Sequence, residues 1–360
     1  MRRCMQAGKR GVAQRGAAQR GYALLTVLGL LLLLAVVAAR LDARVDLFRS
    51  TQGAWLRWAQ AQQTLHEARE QVLLALGTTP RSAFGFGPGP GPQTLRVDGR
   101  VYRLPSGVLV SVQDARGLIS VSVLNAQVLY NFLVRQGVPD AQVPLLLDAL
   151  ADYGDLDDLR RINGAEREDY QALGLPGPRN DWPVSVYELA QVASWQQWPQ
   201  VWQRAGDFFT VSREEQINPN TAAREVLLAL PGATAQGVDA LLAQREGVQL
   251  ASAAQVAAIS GVVLGQQHDT FHPGMFYRLR LWLPEDGPGA LEYNLMFTPN
   301  APRLPWQVLE ARVVDRPALP SGLTVDALPP FPLAPGASAA ADGADPVGTD
   351  VGAFAAQAAD

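Results

Sequence analysis

Residues 20–39 read RGYALLTVLGLLLLLAVVAA, and from Tyr22 to Ala39 the run carries no charge. As a helix rising about 1.5 Å per residue it spans roughly 27 Å, close to the hydrocarbon thickness of a bilayer. Before Gly21 stand Arg2, Arg3, Lys9, Arg10, Arg15 and Arg20, with no acid among them. A basic leader of this kind stays cytoplasmic and sends the following chain across the membrane. A cleaved secretory signal would end in a small-residue site. Here Arg40, Asp42, Arg44 and Asp46 instead continue as a polar helix without a break. A retained anchor is the better reading.

Working outward, the chain has 360 residues, 48% of them hydrophobic and 18% charged, enough apolar material for a packed core. Its net charge is −4, and removing the six leader cations from 30 basic residues leaves 24 against 34 acids, a net of −10. A body this acidic is a poor partner for nucleic acid. Lys9 is the only lysine, which excludes a phosphate-binding G-x-x-x-x-G-K-[ST] loop. Cys4 is the only cysteine, which excludes an intrachain disulfide and cysteine-based metal centres.

The first helix is expected to continue over 40–79, stopped by Gly77 and Pro80. Residues 80–123 form the first part of an αβ domain. In it Phe84 to Pro92 (FGFGPGPGP) reads as a loop unable to hold a sheet, and Asp98-Gly99 as a hairpin turn between strands. Val108 to Val112 is a further strand. A helical block follows over 124–272. Strands return over 273–317, where Tyr277 to Leu283, Leu291 to Phe297 and Trp306 to Val314 alternate or run apolar. Strands on both sides of a helical block point to one sheet with an insertion. Residues 318–360, rich in proline, alanine and glycine, are expected to be disordered.

The helical block looks duplicated. Ile119-Ser120-Val121-Ser122-Val123 aligns with Ile217-Asn218-Pro219-Asn220-Thr221, each leading to an apolar helix, a glycine turn (Gly137, Gly232) and a second helix. The second copy resembles helix-hairpin-helix modules, of which the DNA-binding versions present glycine N–H groups to phosphate. Gly232-Ala233-Thr234 lacks the second glycine, and Asp239 and Glu246 stand nearby, so a packing unit is the plainer reading. The first copy carries an extra stretch near 152–181, which concentrates Asp152, Asp155, Asp157, Asp158, Glu166, Glu168 and Asp169. Carboxylates on an irregular loop suit calcium, which takes six to eight oxygens in loose geometry. Arg160, Arg161 and Arg167 offer the alternative of a solvated, ion-paired loop. His268 and His272 have helical spacing but no third ligand, with Pro273 against a continuing helix. No nucleophile, metal or cofactor motif calls for catalysis, and the chain is expected not to be an enzyme.

Arg20-Gly21-Tyr22, followed by Ala23-Leu24-Leu25-Thr26-Val27-Leu28, resembles the start of type IV prepilin-like proteins. That resemblance implies a prepilin peptidase cutting after Gly21, methylation of the new N-terminus and retention of the apolar helix. Most members have Glu where this chain has Thr26. Adding the two repeats, Gly164-Ala165-Glu166 and Pro183 to Leu189 (PVSVYEL), the chain resembles the type II secretion system protein K family of large minor pseudopilins. Ser120 and Ser122 depart from the asparagines more usual there.

The family implies an α+β fold: a leader over 1–21, a membrane-spanning pilin-like helix over 22–39, and an antiparallel pilin-like sheet with a large inserted all-α domain. It implies inner-membrane anchorage with the bulk in the periplasm, the tip of the pseudopilus, and the minor pseudopilins I and J and the major pseudopilin as partners. It also implies calcium, for which Asp155, Asp157 and Glu166 are the expected ligands, with Asp152, Asp158 and Asp169 as further candidates. A minor pilin of a type IV pilus and a membrane-anchored DNA-binding competence protein stay open as alternatives.

Overall fold

In the computed structural model, which describes residues 15–265, 270–284, 289–299, 301–317, 319 and 324–333, the first element is the helix α1, Arg15–Thr78. No proline interrupts it before Pro80, and Thr78 Oγ1 donates to Leu74 O at 2.8 Å in its last turn. By compactness the chain divides into Met1–Ala61 and Gln62–Asp360. The first fourteen residues of the leader, His268 and most of the C-terminal tail lie outside the described residues.

Within the second unit, β1 (Arg81–Ser82), β2 (Gly85–Phe86) and β3 (Leu95–Arg96) make a small antiparallel sheet. The glycine–proline stretch is therefore not all loop. Gly85 has φ +138°, and a Cβ there would lie 2.1 Å from Leu95 O, so only glycine lets β2 approach β3. Phe86 is thereby buried against Tyr277 and Phe297.

The main sheet holds β4 (Asp98–Arg103), β5 (Leu109–Asp114), β8 (Phe276–Trp282), β9 (Ala290–Phe297) and β10 (Trp306–Val314) in the order β10-β9-β8-β5-β4. All its pairings are antiparallel. Asp98-Gly99 is not the hairpin turn. It lies inside β4, at a register shift between Asp98 and Val101. Gly99, at φ +82°, takes the strained residue of the irregularity, and its carbonyl accepts from Ser111 Oγ at 2.7 Å. The turn falls instead at Gly107, φ +83°, whose N–H donates to Leu104 O at 2.9 Å.

Leu109 pairs with Trp282 and Asp114 with Tyr277, so the chain leaves the sheet at the end of β5 and returns beside it on β8. The intervening residues form the helical insertion. It contains β6 (Ile119–Ser120), α2 (Ala126–Arg135), α3 (Val143–Gly154), α4 (Arg167–Ala172), α5 (Pro199–Trp202), α6 (Ala205–Phe208), β7 (Phe209–Thr210), α7 (Arg224–Ala229), α8 (Ala235–Gly247) and α9 (Ala253–Ser260). Asn125 caps α2, its Oδ1 accepting from Val128 N at 3.1 Å. Helices α2 and α3 are joined through Gly137, and α7 and α8 through Gly232, both in left-handed conformation. The insertion has its own core, in which Phe132 packs between Phe208 and Phe209, and the indole of Trp195 donates to Leu146 O at 2.9 Å.

A second core lies between the sheet and α1. Leu65, Val72, Leu73 and Leu76 cluster with Val110, Val112, Tyr277, Leu279, Leu281 and Leu295. Burial of such side chains contributes roughly 1.5–3 kcal/mol each.

The tail corrects another expectation. Residues 324–333 are ordered against β4: Arg103 N donates to Pro329 O and Phe331 N to Arg103 O, each at 2.9 Å. Phe331 is fully buried and meets the Tyr102 ring edge-on. Two large apolar side chains, Leu328 and Phe331, and an open strand edge outweigh a composition that favours disorder.

Candidate functional site

The membrane-length segment of α1 is Leu24–Asp42, with a mean hydropathy of 2.6 and no residue buried. Leu24, Leu28, Leu31, Leu32 and Val36 are all exposed to the surroundings. Thr26 lies near its start, and its hydroxyl donates to Tyr22 O, one turn back, at 3.1 Å. That bond satisfies a polar group within its own helix. The Arg20-Gly21-Tyr22 peptide is helical here, because α1 begins at Arg15.

The acidic stretch is built on the C-terminal end of α3 and the loop leading to α4. Asp152, in the last turn of α3, is buried, and Gly164 lies against it so closely that a Cβ there would clash with the carboxylate. Arg161 Nη1 sits 2.5 Å from Asp152 Oδ1 and 2.5 Å from Asp155 Oδ2, and its backbone N–H donates to Asp152 Oδ2 at 3.1 Å. Asp157 Oδ1 accepts from Leu159 N at 2.9 Å, and Asp158 Oδ1 from Asn180 Nδ2 at 3.0 Å. Asp169 Oδ1 pairs with Arg160 at 3.1 Å, while Oδ2 accepts from Glu166 N at 3.0 Å.

Glu166 differs from its neighbours. It stands at the start of α4 in the arrangement of a capping box, yet neither of its oxygens makes a hydrogen bond of ordinary geometry. Both oxygens are buried, and so are the unbonded Asp155 Oδ1 and Asn180 Oδ1. Burial, then the charges of Asp152, Asp155, Asp158 and Asp157, push the Glu166 carboxyl up to about 7. Buried acceptors without donors are costly, on the order of 1–3 kcal/mol each, and a cation is the simplest remedy.

The structure thus brings Asp152, Asp155 and Glu166 into one electrostatic neighbourhood and gives Asp157, Asp158 and Asp169 local partners. Among the described residues, no three Asp, Glu, His or Cys side chains gather into a group ready to hold a metal ion. The donor chemistry suits a hard cation, but the carboxylates are not collected around one point. Asn180 is the residue that sequence reasoning missed. Its N–H, with that of Arg179, donates to Tyr153 O at 3.1 Å, which brings this later loop back to the end of α3. Its φ of +50° is a conformation asparagine tolerates, and the Gly-Pro-Arg-Asn-Asp string was the available signal.

At the Gly232 hairpin, a Cβ would lie 2.3 Å from Gly261 O, and Val263 N donates to Pro231 O at 2.8 Å. The hairpin is closed onto the residues after α9. Nearby, Arg224 is engaged by Asp239 at 2.7 Å. The hairpin backbone is thus engaged in packing. His272 contributes its backbone carbonyl to Arg116 at 3.2 Å.

The apolar helix and an antiparallel sheet interrupted by a helical insertion define an α+β protein. Residues 109–212, which span β5 through the acidic loop to β7, match the family model of type II secretion system protein K. The match stops short of the second repeat, Ile217-Asn218-Pro219-Asn220-Thr221. Among solved structures the chain is similar to one in the GspK-GspI-GspJ complex from the enterotoxigenic Escherichia coli Type 2 Secretion System. It is 19% identical with a TM-score of 0.45, covering 75% of this chain and 98% of that one. No curated protein matches.

Proposed function

We propose that this protein is a minor pseudopilin that stands at the tip of the type II secretion pseudopilus and starts or caps its assembly. The family match over 109–212 carries the secretion reading, and Thr26 carries the position. Ordinary prepilin-like subunits have Glu at this place, where its charge can pair with the N-terminal amine of the next subunit towards the tip. A subunit with no neighbour above has no such amine to meet, and Thr26 satisfies its own hydroxyl on Tyr22 O. The prepilin peptidase cuts after Gly21, and Leu24–Asp42 anchors the mature chain in the inner membrane with the later residues in the periplasm. Minor pseudopilins I and J are its partners in the tip, with the major pseudopilin below. Its role is structural and needs no catalytic group.

The acidic loop is proposed to hold calcium. Glu166, Asp155 and Asn180 supply unbonded buried oxygens, and Asp152, Asp157 and Asp158 lie close enough to add to the field at Glu166. The ion would supply the charge and the coordination that these acceptors lack. The position is tested by immunogold labelling of assembled filaments, expected to mark one end only; labelling along the shaft rules out the tip. N-terminal sequencing of the membrane-extracted protein is expected to read Tyr22 first. For calcium, thermal melts with the ion and with chelator are expected to differ, and to coincide once Asp155, Asp157 and Glu166 are replaced together.

A further inference from the structure

The acidic loop already contains a cation of its own. The Arg161 guanidinium spans Asp152 and Asp155, taking one oxygen of each at 2.5 Å. Asp152 is completely buried, whereas the Arg161 side chain is 43% exposed, so the arginine reaches in from the solvent side. One positive charge there faces three acids, Asp152, Asp155 and Glu166. Arg160 is engaged by Asp169, and Arg167 lies 3.9 Å from Asp158, so neither adds to that neutralisation.

What the guanidinium leaves undone is specific. Asp155 Oδ1, both Glu166 oxygens and Asn180 Oδ1 stay without donors, although Glu166 is only 7% exposed. A planar guanidinium held through one Nη1 between two carboxylates has a fixed direction and does not serve acceptors on every side. A calcium ion carries twice the charge and accepts oxygens from all directions. Bound beside Glu166, it would draw on the same carboxylates, Asp152 and Asp155, that Arg161 now holds, and the two cations repel each other in the same place.

We infer that Arg161 is an internal counter-ion for the loop, occupying Asp152 and Asp155 at low calcium and displaced when calcium binds, so that it sets the affinity of the site. This rests on the calcium reading above. Arg161 holds the end of α3 and the following loop together without the ion. Its long, partly exposed stem lets it swing out to water when the ion arrives. The arrangement trades affinity for a loop that stays folded in either condition.

The test is calorimetric titration of calcium chloride into the full-length, chelator-treated protein in detergent, using the wild type, Arg161→Gln and Arg161→Lys. Removing the competitor in Arg161→Gln is expected to tighten calcium binding at least about tenfold. Arg161→Lys keeps the charge but loses the fork, and its affinity is expected to fall between the two. In the wild type, one arginine Nε–H NMR signal, missing from both variants, is expected to shift on adding calcium. Equal or weaker binding by folded Arg161→Gln, or an Arg161 signal indifferent to bound calcium, overturns the inference while leaving the calcium site standing. No calcium binding by any of the three overturns both. If Arg161→Gln does not fold, the lysine variant and the wild-type NMR signal decide.

Discussion

Arg280 of β8 and Glu292 of β9 are direct partners across the strand ladder, and their side chains meet with Nε 2.6 Å from Oε2. The pair lies on the sheet face turned towards the helical insertion. There Arg280 Nη1 also reaches Asp207 of α6 at 2.7 Å, and Tyr187 donates its hydroxyl to Glu292 at 3.2 Å. Arg278, on the same face, is buried, and burial followed by the Arg280 charge lowers its guanidinium to about 10. Two cations are thus held at a buried seam by Glu292 and Asp207. Glu292→Ala is expected to destabilise the protein by about 3–5 kcal/mol, the usual consequence of leaving a buried charge uncompensated. Asp207→Ala, at the more exposed end, should cost less. Urea denaturation of the two variants measures both, and an equal, small effect contradicts this account of the seam.

Asp114 gives the second prediction, a pH dependence. Its buried carboxylate ends β5 and accepts from Gly274 N at 3.0 Å, Thr221 Oγ1 at 2.8 Å and Arg116 N at 3.2 Å. Burial outweighs these bonds and pushes its pKa up to about 6, from an ordinary 3.8. Because the folded pKa is the higher, the folded state binds the proton more readily than the unfolded chain. The resulting stabilisation is complete below pH 4 and is lost as the pH rises through about 6. Its size is at most roughly 3 kcal/mol. Stability measured from pH 4 to 8 should contain this decline in the wild type and lack it in Asp114→Asn. An unchanged profile in the variant assigns the titration elsewhere.

These two sites also mark what the sequence does and does not disclose. Tyr277, Leu279 and Leu281 alternate with Arg278 and Arg280, a pattern that reads as a strand with one face in water. The strand is real, but both arginines are buried, because the insertion covers that face. Periodicity reports which residues share a face, not what covers it. The long apolar stretch of α1 and its stop near Gly77 are local properties and so were legible. Asp98-Gly99 was misread because its turn chemistry serves equally at a bulge, and its surroundings, including Arg245 from α8, are distant in sequence. The acidic loop was visible as composition. The guanidinium at its centre and Asn180 beside it depend on the fold returning residues 179–180 to Tyr153.

The third prediction concerns the tail. Residues 324–333 cover the free edge of β4, and Phe331 fills a pocket against Tyr102. Phe331→Ala is expected to cost about 3–5 kcal/mol, as for a fully buried ring. It should also promote self-association, since an uncovered strand edge is a template for pairing. Thermal melts and light scattering check the two effects. A chain cut after residue 333 should keep the wild-type melting temperature, whereas one cut before residue 324 should not.

The last prediction returns to Thr26. Its hydroxyl is satisfied one turn back, so Thr26→Val should remove one bond of modest net worth, about 1 kcal/mol, and leave secretion near the wild-type level. Thr26→Glu is different. At the proposed tip no N-terminal amine from a higher subunit is present to pair with the carboxylate, and placing such a group in the apolar part of the bilayer costs roughly 2.5–3.5 kcal/mol or more. Secretion by cells carrying Thr26→Glu as their only copy is expected to fall well below that of Thr26→Val, at equal amounts of processed protein in the membrane. In an ordinary subunit the ranking reverses, because there the carboxylate gains a partner and the apolar side chain does not. A Thr26→Glu chain that secretes as well as the wild type therefore argues that a neighbour sits above it and removes the tip assignment, while the family match over 109–212 stands.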